Sequence, residues 1–265
     1  MNYQILCGDR IEVMNNLLAN SVHLIVTSPP YNVGIEYDNH DDTMPYDEYL
    51  DFLNETWIAC ERILIDGGRI AINIPSITHE KSYQPLFSDV IQQMKKIGFV
   101  MRCDILWYKE VCSSRTAWGS WQSPSNPYIV QPYEFILVFS KGTKKLKGNK
   151  EDIDITKEEF IQYSNGFWNI CPESANQIGH PAPFPQELAY RLIKFYSYKG
   201  NVILDPFNGS GTTCVVAYKT GRHCIGIDKS EKYNEIAVKR LKTKEVFKPN
   251  HFMKDISLKY TNKLF

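Results

Sequence analysis

Seven short runs rich in β-branched and aromatic residues, at 3–6, 23–26, 69–74, 100–107, 134–139, 201–204 and 223–227, punctuate this chain. Most are separated by stretches whose apolar residues recur every three or four positions. Few architectures accept that alternation, because parallel strands need long crossovers, usually helical, that then cover the sheet on both faces. In the stretch 46–65, Tyr49, Phe52, Leu53, Trp57, Cys60 and Ile63 share one helical face, and Gly67–Gly68 supplies a stop where positive φ is inexpensive. Similar patterns predict helices at 82–97, 185–198, 211–220 and 231–241. The reading is an α/β fold with a largely parallel sheet, whose ligands sit beyond the carboxyl ends of its strands.

A length of 265 residues with 43% hydrophobic and 23% charged side chains fits one large globular domain and excludes disorder as the dominant state. Thirty basic and thirty acidic residues give zero formal charge, so any nucleic-acid partner must be held locally. The charge is uneven along the chain. No Lys or Arg lies between Arg10 and Arg62, where Glu36, Asp38, Asp41, Asp42, Asp47, Glu48 and Asp51 crowd together, while residues 141–150 carry five lysines and no acid. The lysine run reads as a loop. Seven cysteines without a Cys-x-x-Cys pair argue against a zinc ribbon or a disulfide framework and fit a reducing compartment. No secretory signal, membrane span or internal repeat is legible, and a cytoplasmic location is expected.

Two strand ends are unusual. In Val202-Ile-Leu-Asp205-Pro206-Phe207-Asn208-Gly209-Ser210-Gly211-Thr212-Thr213 a buried strand enters a glycine turn and then a helix. Glycines let the backbone approach a ligand closely, and a helix start offers free N–H groups to an anionic group. The next strand ends at Asp228, twenty-three positions after Asp205, where a carboxylate can accept both hydroxyls of a ribose. The pair points to a nucleoside-type cofactor.

The second strand end is His23-Leu-Ile-Val26-Thr27-Ser28-Pro29-Pro30-Tyr31-Asn32. Two successive prolines terminate strand pairing and hold the chain rigid. A fixed Pro29 carbonyl, the Ser28 hydroxyl and the Tyr31 ring suit a flat ring bearing an amino group: two acceptors take its N–H bonds while the aromatic face stacks.

With these motifs the chain resembles the amino-methylating DNA methyltransferases of the β arrangement, in which a Ser/Asp-Pro-Pro-Tyr motif precedes the cofactor half. The resemblance runs from Cys7-Gly8-Asp9 through Thr27–Asn32 and Gln131-Pro-Tyr-Glu-Phe-Ile-Leu-Val-Phe-Ser-Lys141 to His180-Pro-Ala-Pro-Phe184-Pro185 and Asp205–Thr213. It implies a Rossmann-like class I methyltransferase fold with a mixed, mostly parallel, seven-stranded sheet, and S-adenosyl-L-methionine as cofactor. It also implies one catalytic domain over 1–265: a catalytic half at about 1–141, a target-recognition insert at about 142–179 and a cofactor half at about 180–243. On the cofactor side, Asp205 to Thr213 would wrap the methionine part, Asp228 the ribose and Asp9 the adenine amino group, with Thr27 beside them and His180 to Phe184 closing the pocket.

The chemistry implied is positional. An exocyclic base amine is a poor nucleophile because its lone pair is conjugated into the ring. Ser28 and the Pro29 carbonyl, held rigid by Pro30, would reorient that lone pair toward the methyl donor without a covalent adduct or a metal. The target nucleotide would flip out of duplex DNA, with Tyr31 replacing its lost stacking. Methylation at cytosine C5 would instead need a Pro-Cys nucleophile; this chain has only the reverse order, Cys171-Pro172. Adenine-modifying relatives usually carry Asp where Ser28 stands, so the resemblance favours cytosine N4, with adenine N6 as the alternative. RNA or protein-glutamine methylation and a catalytically silent DNA-binding role are further alternatives, against which Ser28 and the intact motifs argue.

For duplex DNA, the sequence nominates Arg115, Trp118 and Trp121 in the loop 115–126 and Lys144, Lys145 and Lys147 in the lysine run. A small helix is expected at 152–160, and the acidic segment 36–51 is expected to be a mobile lid or to face away from DNA. The reading is compatible with a homodimer and with a separate cognate restriction endonuclease.

Overall fold

The computed structural model describes residues 2–40, 42–76, 84–109, 119–127, 129, 131–173, 181 and 184–243. Their strands are β1 (Tyr3–Cys7), β2 (Val22–Thr27), β3 (Leu64–Pro75), β4 (Val100–Tyr108), β5 (Tyr133–Ser140), β6 (Phe167–Asn169), β7 (Val202–Asp205) and β8 (His223–Asp228). The helices are α1 (Arg10–Asn16), α2 (Tyr46–Ile63), α3 (Leu86–Ile97), α4 (Lys157–Tyr163), α5 (Gln186–Tyr196), α6 (Thr212–Lys219) and α7 (Glu231–Lys242). One sheet runs β1-β8-β7-β2-β3-β5-β4-β6. Only β5 is antiparallel to its neighbours.

Alternate strand residues feed two apolar layers, as the pleat requires. Ile25, Ile70, Ile72 and Leu204 pack with Met14 of α1, with Tyr49, Leu53, Trp57, Cys60 and Ile63 of α2, and with Val90 and Met94 of α3. Leu24, Val26, Ala71 and Ile203 face the other way, onto Leu188 and Leu192 of α5 and Val215 and Val216 of α6. Five of the six residues named for the helical face at 46–65 are therefore fully buried, while Phe52 is partly so.

Three expectations are corrected. Among the described residues eight strands are present rather than seven: β6 pairs Phe167–Asn169 with Leu106–Tyr108, and three residues are too few to show a period. Gly67–Gly68 does not stop α2, which ends at Ile63 with Leu64 already extended. The glycines instead lie within β3, where the pairing with β2 shifts register between Val22 and Leu24. Gly67 has φ +75 and donates its N–H to Lys141 O at 2.9 Å, and any Cβ there would strike the Lys145 backbone. Finally, the helix expected at 152–160 is a single 3-10 turn, Lys150–Asp152, followed by α4. α4 starts where the Thr156–Glu159 capping box satisfies its first N–H groups.

The chain leaves β2 in one direction across the sheet, through α2 to β3, and leaves β7 in the other, through α6 to β8. Between β2 and β7 lies the switch point, where a parallel sheet opens a crevice at its carboxyl edge. Both unusual strand ends belong to these two strands, which are in register at Leu24–Ile203 and Ile25–Leu204.

Candidate active site

At that crevice a cavity of about 280 Å³ is lined by Ser28, Pro29, Pro30 and Tyr31 on one side and by Asp205, Asn208, Gly209 and Asp228 on the other. Thr27 at the end of β2 donates to Asp205 Oδ1 at 2.7 Å, joining the two motifs across 178 positions of sequence. Phe207 N–H donates to the same oxygen at 3.1 Å. Burial nevertheless pushes the Asp205 carboxyl up to about 6, outweighing the hydrogen bonds from Thr27, Thr213 and Phe207. Thr27 itself does not line the cavity; it supports Asp205 from below.

The glycine turn is built as the sequence suggests. Gly211, the N-cap of α6, has φ +81, and a Cβ there would collide with Ala237 of α7. Arg240 of α7 holds the turn, donating to Ser210 O at 2.8 Å, Ser210 Oγ at 3.1 Å and Thr212 Oγ1 at 3.0 Å. Asp228 accepts the Gly209 and Ser230 N–H groups, each at 2.8 Å, and burial raises its carboxyl above the ordinary range. Pro206, Phe207, Asn208, Gly209, Ser210 and Thr212 all line the cavity, as does Phe184. Both amide atoms of Asn208 are buried without a partner among the described residues. A buried amide left unpaired is costly, and a polar ligand in the cavity would complete it. The carboxylates, the positive-φ turn and this orphaned amide suit a polar nucleoside-type group.

Asp9 already has partners of its own. Its carboxylate caps α1, accepting from Ile11 N at 2.8 Å, and pairs with Lys229 at 2.9 Å. Its neighbours Gly8 and Arg10 line the cavity, whereas Asp9 does not. His180 lies outside the described residues.

On the catalytic side, Tyr49 donates to the Pro30 carbonyl at 2.6 Å and so fixes the double-proline turn. Among the described residues nothing donates to the Pro29 carbonyl. Ser28 Oγ lies 2.8 Å from Tyr31 Oη, which donates to Glu134 Oε2 at 2.9 Å. Asn73 Nδ2 is 2.6 Å from both Tyr31 Oη and Glu134 Oε2, and Lys109 pairs with Glu134 Oε1. Asn73, Glu134 and Lys109 line the cavity; the sequence assigns none of them a role, although Glu134 falls inside the Gln131–Lys141 motif. The available signal was a polar residue inside an otherwise apolar strand, Ile72-Asn73-Ile74 on β3 and Tyr133-Glu134-Phe135 on β5.

Above the cofactor side, Tyr37, Asn39 and His40 line the cavity. Buried Asp42 ties down their segment by accepting from Asn32 N at 2.7 Å and from Val33 N and Ile35 N at 3.0 Å. Asp38 accepts from Ser230 Oγ at 2.7 Å. The acidic segment is thus divided: its first part covers the cavity, and residues from Tyr46 onward open α2.

The described residues nominated for DNA binding do not gather at one place. Trp121, 65% exposed, lies in a turn bridged by Gly119 and Pro127 within the connection leaving the cavity edge of β4. Arg115 and Trp118 lie outside the described residues. Lys144, Lys145 and Lys147 stand at the opposite edge of the sheet. The antiparallel β5 carries the chain from Glu134 at the cavity to Ser140 beside Arg69, a span of roughly 20 Å at ~3.4 Å per residue. Thr143 then binds Asp66 there, with N–H and hydroxyl both at 3.0 Å. These lysines are therefore not part of the cavity rim.

Comparison with known proteins agrees with this geometry. Residues 22–239 match the DNA methylase family of N6 and N4 methyltransferases. The chain is 43% identical over 158 residues to the type II methyltransferase M.MjaVI of Methanocaldococcus jannaschii, covering 60% of this chain and 81% of that protein. It is 32% identical to M.MjaI of the same organism, covering 87% and 89%. A Thermus thermophilus structure, assigned as a DNA modification methylase and solved with S-adenosyl-L-methionine, superposes with TM-score 0.74 at 30% identity over 90% of this chain and 93% of its own. A match over so much of the sequence, with both motifs meeting at one crevice, makes this chain a member of the DNA methylase family.

Proposed function

We propose that this chain methylates the exocyclic N4 amine of cytosine in duplex DNA, using S-adenosyl-L-methionine, as the modification enzyme of a type II restriction–modification system. The observation that carries the reading is that Ser28 and Pro29 share one cavity with the Asp205–Thr213 turn and Asp228. Asp205 to Thr212 and Phe184 would hold the methionine part and close over it, and Asp228 the ribose. When bound, the cofactor supplies an electrophilic methyl group on a sulfonium.

The protein's own task is to present the amine. Ser28 Oγ and the Pro29 carbonyl accept its two N–H bonds and turn its lone pair out of conjugation, which is catalysis by orientation. Tyr31 packs against the base, which reaches the cavity only by leaving the duplex stack. Its hydroxyl bonds keep the ring from turning away when no base is present. Ser28, where adenine-modifying relatives usually carry Asp, favours cytosine over adenine. Trp121 would contact DNA from the connection that leaves the cavity edge of β4, and the sequence adds Arg115 and Trp118 as further DNA contacts.

Mass spectrometry of nucleosides from duplex DNA incubated with the protein and S-adenosyl-L-methionine tests this reading. N4-methylcytosine is expected. N6-methyladenine would overturn the choice of base while sparing the mechanism, and 5-methylcytosine or unmodified DNA would overturn the mechanism itself.

A further inference from the structure

We propose that Glu134 and Asn73 are positioning residues that act through Tyr31 to turn the Ser28 hydroxyl proton away from the cavity, leaving the Ser28 oxygen as an acceptor. The inference rests on the amine-methylation reading above, because that chemistry needs an acceptor where a freely rotating hydroxyl could equally donate.

Counting protons around the cluster gives its direction. A carboxylate has no proton to give, so Glu134 can only accept. The Asn73 group 2.6 Å from Glu134 Oε2 must then be the NH₂ end, since the amide oxygen would face the carboxylate in repulsion. The two hydrogens of that NH₂ go to the two oxygens within reach, Glu134 Oε2 and Tyr31 Oη. The single Tyr31 proton has two candidate acceptors, Glu134 at 2.9 Å and Ser28 at 2.8 Å. The carboxylate wins, because a charge-assisted bond is about twice as strong as a neutral one. Burial and the Glu134 charge both push the Tyr31 phenol far above its ordinary range, so it keeps that proton. The remaining lone pair of Tyr31 Oη is left for the Ser28 hydroxyl, which donates to it. Both Ser28 lone pairs are then open to the cavity. Lys109, paired with the other Glu134 oxygen, holds the carboxylate in place.

The test is a double-mutant cycle on Glu134→Gln and Tyr31→Phe, read as kcat, KM for DNA and calorimetric affinity for S-adenosyl-L-methionine. Its substrate is duplex DNA bearing the site that the wild type methylates. A glutamine amide can donate to Tyr31 Oη, which releases the tyrosine proton toward Ser28 and turns the Ser28 proton into the cavity. Loss of one acceptor is expected to lower kcat by roughly 10- to 100-fold, with cofactor affinity and KM within about two-fold of wild type. Tyr31→Phe should produce a similar loss, and the double variant should be no worse than either single one, because Glu134 acts through the tyrosine hydroxyl. Full kcat in Glu134→Gln, or losses that multiply in the double variant, would overturn the inference. Should Glu134→Gln fail to fold, full kcat in Tyr31→Phe overturns it alone. A wild type that methylates no base amine would sink the function proposed above instead, which keeps the two failures distinct.

Discussion

Asp205→Asn should stabilise this protein in the absence of cofactor, increasingly above about pH 4. The Asp205 carboxyl is buried at the end of β7 and lifted from 3.8 to about 6, chiefly because burial penalises its charge. A shift of that size corresponds to about 3 kcal/mol of differential stability at 1.36 kcal/mol per unit. Its sign follows from proton counts. Between the two values the folded state holds a proton that the unfolded state has released, so folding becomes less favourable as pH rises through that window. The full penalty is present above about pH 6 and vanishes below about pH 4. Asparagine keeps the acceptor used by Thr27 and Phe207 but carries no charge to desolvate. Urea unfolding of both proteins at about pH 4, 5.5 and 7.5 isolates the effect, because every other carboxylate cancels in the difference. A variant less stable than wild type at the highest pH, or a difference independent of pH, would refute the reasoning. The same variant should bind S-adenosyl-L-methionine more weakly, a trade of stability for function at a buried charge.

Replacing Lys144, Lys145 and Lys147 with Ala should leave the salt dependence of DNA binding unchanged, given their place at the far edge of the sheet; three lost phosphate contacts would instead lower the slope by ~2.7. Gly211→Ala, at φ +81 and in collision with Ala237, should destabilise the fold by ~1–3 kcal/mol in thermal denaturation and weaken cofactor binding by calorimetry; an unchanged variant would mean the turn is not needed in this form.

What was legible in the sequence was whatever a single strand, turn and helix could encode locally. Asp205 to Thr213 carries its own evidence, because the glycines, the following helix and the acid of the next strand are separated by short, fixed distances along the chain. Thr27 to Tyr31 is equally local, and the parallel sheet brings these two segments together as the alternation of elements implies. The illegible part depends on strand direction. Had β5 run parallel to β3, Glu134 would have left the cavity and the lysine run would have joined its rim. Instead the chain turns back between Tyr108 and Tyr133, and the reversal exchanges the two. Nothing in an apolar run of eight residues records which way it points, so the Gln131–Lys141 motif carries Glu134 without showing that it faces the cavity. The same reversal supplies the acceptor network: Asn73 and Glu134 lie 61 positions apart in sequence yet 2.6 Å apart in space, and they meet only because β3 and β5 are antiparallel there. The direction of one strand thus determines both which charged groups line the cavity and which polar groups surround Tyr31 and Ser28.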